Sequence, residues 1–69
     1  MKYTLIFKER VWHPDSELLV NCVIVSEKDF DIDVQRNSVI ISNKEHTKAF
    51  SFSKHNIIQL IAEEENNAE

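Results

Sequence analysis

Not one of the 69 residues is glycine, and this absence decides how the chain can turn. Glycine enters the left-handed backbone region without steric cost, whereas a residue with a Cβ loses about 1–2 kcal/mol there. Asn and Asp tolerate that region best, because their short polar side chains bond to the local backbone. Turns are therefore expected at Pro14-Asp15, Arg36-Asn37-Ser38 and Ser42-Asn43-Lys44. A chain without glycine also cannot build the phosphate-cradling loops of nucleotide-binding proteins.

Between these turns the hydrophobic pattern has period two. Tyr3, Leu5, Phe7 and Val11 share one parity, broken by Glu9, while Lys2, Thr4, Lys8 and Arg10 share the other with Ile6 and Trp12. Such alternation is the signature of a half-buried strand. Leu18–Val25 is too apolar to alternate, and its valine and isoleucine content predicts a strand buried on both sides, with a short helix as the competing reading. Asp29–Val34 alternates cleanly, with Phe30, Ile32 and Val34 facing in and three aspartates facing out. Val39–Ser42 returns from it, and Thr47–Phe52 adds another strand with Phe50 and Phe52 on one face.

The last element is open between two readings. Ile57, Ile58, Leu60 and Ile61 have helical spacing, and Ser53 is placed to cap a helix. Against that, Glu63, Glu64 and Glu65 would stand at the negative end of the helix dipole, and isoleucine-rich runs favour a closing strand. The fold class expected is mainly β: an antiparallel meander of four to five strands forming a roll or barrel. It is completed by a C-terminal strand or short helix, the latter giving an α+β alternative. Residues 1–65 are expected to form the single domain and 66–69 a frayed acidic tail.

A domain this small has a thin core and usually needs a disulfide, a metal or self-association to support it. Cys22 is the one cysteine, so no internal disulfide can form, and a reducing, cytoplasmic setting is the default. No run approaches the ~18–20 apolar residues that cross a bilayer, and no membrane role is expected. Cys22 with His13, His46 and His55 matches no zinc spacing, and Cys22 reads as a small hydrophobe in an apolar run. No metal or cofactor is expected. Paired acid and base, nucleophile and cofactor loop are all missing, and a thin core leaves little room for a shaped cleft, so the chain reads as a non-enzyme.

Charge is the remaining guide. The net value is −4, distributed as +2 over residues 1–14, −5 over 15–34, +3 over 35–56 and −4 over 57–69. Segregated charge favours steered association with a charged partner. Two candidate protein-binding faces follow. Asp29, Asp31 and Asp33, about 6.6 Å apart on a strand, would make an acidic row able to imitate phosphates. A calcium loop begun at Asp29 fails, because it needs glycine at Val34 and glutamate at Ile40. The bland reading of the row is a solvated strand face that discourages aggregation. Lys8, Arg10 and Trp12 form the second face, since Trp and Arg recur at interface hot spots; the bland reading packs Trp12 into the core.

The function expected is a small binding protein that docks on a larger protein and modulates or inhibits it. A self-assembling homo-oligomer, either structural or enclosing a small ligand, is the alternative. A nucleic-acid-binding barrel using Lys8, Arg10 and Trp12 is the second, disfavoured by the acidic balance. In general build, a small acidic β-meander resembles accessory proteins of phages and mobile elements, a resemblance that no motif carries.

Overall fold

The computed structural model describes residues 1–65, and the acidic tail expected over 66–69 lies outside the described residues. The described residues form six strands: β1 (Lys2–Trp12), β2 (Leu19–Ser26), β3 (Phe30–Val34), β4 (Ser38–Asn43), β5 (Ala49–Ser53) and β6 (Ile57–Glu63). They make two antiparallel three-stranded sheets, ordered β2-β1-β6 and β3-β4-β5. The fold is the expected mainly-β meander, and the C-terminal element is a closing strand that returns beside β1. No helix among the described residues is long and apolar enough to cross a membrane.

Period two builds both inner faces. Leu5 lies across from Val23 on one side and Leu60 on the other, a row that crosses the whole first sheet. Val39 and Ile41 sit opposite Phe52 and Phe50 in the second. Leu5, Phe7, Val23, Val25, Val39, Ile41 and Phe52 are buried between the sheets, with Tyr3, Val11, Val20, Phe30, Ile32, Phe50 and Ile57 packed against them. The Phe7 and Phe52 rings, one from each sheet, meet with centroids 5.1 Å apart and planes inclined at 46°.

Two expectations, one about burial and one about placement, are corrected. The apolar run in β2 is an edge strand covered on one face only: Val23 and Val25 are buried while Cys22 and Ile24 are exposed. Among the described residues, two layers of three strands leave nothing to cover its outer side. Asp29 stands in the turn before β3, not on the strand. Ser26 Oγ accepts from Lys28 N at 3.0 Å and its carbonyl accepts from Asp29 N at 3.0 Å, so the turn holds Asp29.

The C-terminal strand is entered through a single 3-10 turn, Lys54–Asn56, whose cap is Ser53, its Oγ accepting from His55 N at 3.2 Å. The capping signal was legible, but one turn is all it starts. β6 then pairs with β1 as far as Phe7. Beyond that point the Asn56 side chain continues the ladder: its Oδ1 accepts from Glu9 N at 2.9 Å and its Nδ2 donates to Glu9 O at 3.1 Å. At the other end of β1, Glu27 accepts from the Met1 ammonium at 2.7 Å and from Tyr3 Oη at 3.3 Å. The ammonium's hydrogen bond holds the Glu27 carboxyl below its ordinary range. Desolvation, aided by the charge of Glu27, raises the Tyr3 phenol.

Among the described residues, those that enter the left-handed region are Glu17 (φ 61) and His46 (φ 60), not Asn or Asp. The loop asparagine has other work. Asn43 Oδ1 accepts from Thr47 N at 2.9 Å and Lys48 N at 3.2 Å, and Nδ2 donates to Thr47 Oγ1 at 2.8 Å, so Asn43 organises the loop in which His46 takes the strained position. In the β1–β2 loop, His13 Nδ1 accepts from Asp15 N at 3.0 Å and Ser16 N at 3.3 Å, leaving the strain to Glu17. Glu17→Gly should therefore stabilise the fold. Relief of about 1–2 kcal/mol of left-handed cost exceeds the roughly 0.4–1 kcal/mol that glycine adds to unfolded-chain freedom. A rise in Tm of about 2–4 °C by calorimetry is expected, and an unchanged or lower Tm would show that the loop carries no such strain.

Candidate functional site

Where the β1–β2 loop meets the β2–β3 turn and the β4–β5 loop, the surface is hollowed. One cavity of about 440 Å³ is lined by Pro14, Asp15, Asp29, Phe30, Asn43, Lys48 and Phe50. A second, of about 390 Å³, is lined by Trp12, His13, Glu17, Lys48 and Phe50. They share Lys48 and Phe50 and so form one open groove of the volume that ligand sites commonly have. The space a thin core could not provide is made outside it, by loops.

Each wall has a local cause. Pro14, the first turn residue of the loop after His13, fixes its own backbone dihedral and is buried. His13 N donates to Leu18 O at 2.8 Å and holds the base of the hairpin, with Trp12 paired across to Leu19. Trp12 is 57% exposed and Leu19 49%, with Leu18 exposed beside them; the reading that packs Trp12 into the core is thus corrected. Phe30 and Phe50 are half-buried inner-face residues whose remaining surface forms part of the groove wall. Glu17 Oε2 lies 3.6 Å from Lys48 Nζ across the groove. No ion pair reaches Asp15 or Asp29 among the described residues. The groove therefore joins aromatic surface to a local excess of negative charge.

This arrangement divides the candidate residues differently from the sequence. Asp29 and Trp12, drawn from separate candidate faces, come to the same groove. Asp31 and Asp33 lie on the outer face of the second sheet and are engaged by neighbours. Asp31 is 2.8 Å from Lys44 Nζ and 3.1 Å from His46 Nε2, and the hydrogen bond from Lys44 holds its carboxyl below the ordinary range despite partial desolvation. Asp33 accepts from Gln35 Nε2 at 2.9 Å. Lys8 and Arg10 are exposed on β1 between Ile6 and Val11, where its register against β2 shifts, and they line neither cavity. Phe30, Phe50, Lys48 and Asp15 carried no functional signal in the sequence, because the two phenylalanines read as strand residues sharing a face, Asp15 as a turn residue and Lys48 as one charge of a basic stretch. Among the described residues no group of three or more His, Cys, Asp or Glu is placed to hold a metal ion.

Comparison with protein-family models, with curated proteins and with solved structures gives no match for this chain.

Proposed function

We propose that this chain is a non-enzymatic binding protein that docks on a larger protein through the groove around Trp12, taking a cationic segment that carries an apolar anchor. The exposed Trp12, paired with an exposed Leu19 and bordering Phe50, carries the reading. A domain with so thin a core gains stability from each aromatic it buries, and leaving its one tryptophan outside suits a hot spot better than a scaffold. Asp15 and Asp29 beside Phe30 and Phe50 suit a lysine or arginine side chain, by charge and by cation–π contact.

Immobilised wild-type protein, Trp12→Ala, the Asp15→Asn/Asp29→Asn pair and the Asp31→Asn/Asp33→Asn pair would be compared as baits in host lysate, with captured proteins quantified by mass spectrometry. Trp12→Ala is expected to lose at least about 2 kcal/mol, roughly thirtyfold in affinity, for a captured partner. The Asp15/Asp29 variant should weaken capture, while the Asp31/Asp33 variant should leave it intact. Equal capture by all four baits, or loss confined to the Asp31/Asp33 variant, would sink the groove as the docking site.

A further inference from the structure

We propose that two copies of this chain pair through the outer edge of β6, strand against antiparallel strand, joining two three-stranded sheets into one of six. The inference does not depend on the Trp12 groove. Among the described residues β1 is the strand partner of β6, and no other backbone hydrogen bond reaches β6 from its far side. Edge strands are usually protected by lysine, proline, inward charge or bulges. The edge strand β3 has Asp31 and Asp33. In β6 the run Ile57–Ala62 has neither charge nor proline, and its bulge sits at the start, leaving Gln59–Glu63 regular. Ile58 is 62% exposed and Leu60 36%. Beside them opens an apolar crevice of about 170 Å³, which Val39 and Ile57 also line.

A second copy fits this edge because its charges are arranged for antiparallel self-pairing. Lys54 and His55 precede β6, and Glu63, Glu64 and Glu65 end it. Pairing centred on Leu60 keeps inner-face residues opposite inner-face residues. It sets Leu60 against Leu60 of the second copy and Gln59 against Ile61, and it brings the acidic end at Glu63–Glu65 toward the turn of the second copy that holds Lys54 and His55. Parallel pairing would align acidic end with acidic end. The other uncharged edges, β2 and β5, lack this property: β2 is flanked by Glu17 and Glu27, which an antiparallel pair centred on Cys22 would bring face to face, and β5 by Lys48 and Lys54, which a pair centred on Ser51 would bring face to face. Like charges directly opposite are destabilising.

One strand per copy makes a small interface, so dissociation in roughly the micromolar range is expected. Sedimentation equilibrium of the full chain over about 5–500 µM should show conversion from the 8.1 kDa monomer to a dimer. Leu60→Lys and Ile58→Lys should each weaken dimerisation at least tenfold, with circular dichroism unchanged, and Trp12→Ala should leave it intact. Should Leu60→Lys fail to fold, Ile58→Lys carries the test from an exposed position. In a Cys22→Ser background, Leu60→Cys should oxidise to a disulfide-linked dimer, because directly paired Cβ atoms lie about 4.5–5.5 Å apart. A monomer throughout the range, or a dimer that survives both lysine variants, would overturn the proposal.

Discussion

Replacing Leu5 with alanine is expected to bring the folded state close to its limit. Leu5 is fully buried at the centre of β1, with Val23 across one ladder and Leu60 across the other. Truncation of a buried leucine costs about 2–5 kcal/mol, most where the surroundings cannot collapse. Here they cannot, since both neighbours are fixed by the hydrogen-bonded strands that carry them. A domain of this length has in total about 3–10 kcal/mol of stability. Urea unfolding followed by circular dichroism should show a midpoint lowered by at least about 2 M, given slopes near 1 kcal/mol per M for small proteins. A shift below about 1 M would mean that Leu5 is not the centre of the core. Ile24→Ala on the outer face of the neighbouring strand serves as the comparison. That side chain is exposed, and its loss should change stability by no more than about 0.5 kcal/mol.

The contrast between Leu5 and Ile24 also shows what the sequence could disclose. Alternation, broken in β1 by Glu9, located β1 and β3, because a strand with one wet face must alternate, although Val34, read as facing in, is 48% exposed at the end of β3. The β3–β4 hairpin followed, and Val34 does lie across from Val39. Ile24 was misread because a continuous apolar run looks the same whether its outer face is covered by another layer or left bare. Only the number of layers decides that, and two small sheets supply no third. Asp29 was drawn into the strand by parity alone, while the Ser26 bonds that close the turn depend on hydroxyl and backbone geometry. The left-handed positions fell to Glu17 and His46 because His13 and Asn43 use their side chains to bind loop N–H groups. The groove was the least legible feature. Its walls come from three loops far apart in sequence, and Phe50 and Phe30 contribute to it only as the outer rims of core residues.

The contact between Phe7 and Phe52 should prove to be a coupled pair and not two independent core residues. Among the described residues no backbone ladder joins the sheets, so their relative position rests on interior side chains and short connections, and these two rings meet across the interface. A tilted aromatic pair at this separation contributes about 0.5–1.5 kcal/mol beyond the area it buries. Alanine at either site would cost about 3–5 kcal/mol and leave too little folded protein to measure a double variant. A cycle with leucine is therefore the usable form: Phe7→Leu, Phe52→Leu and the double replacement, each measured by urea unfolding. The double variant should be less destabilised than the sum of the singles by about 0.5–1.5 kcal/mol. Additivity within about 0.3 kcal/mol would show that the rings only fill volume, and would shift responsibility for sheet alignment to the aliphatic row of Leu5, Val23, Val39 and Ile41. Coupling of the expected size would tie the fold to the groove. Phe52 is two residues from Phe50 on the same face of β5, so the ring contact that aligns the sheets also sets where Phe50 stands beside Trp12.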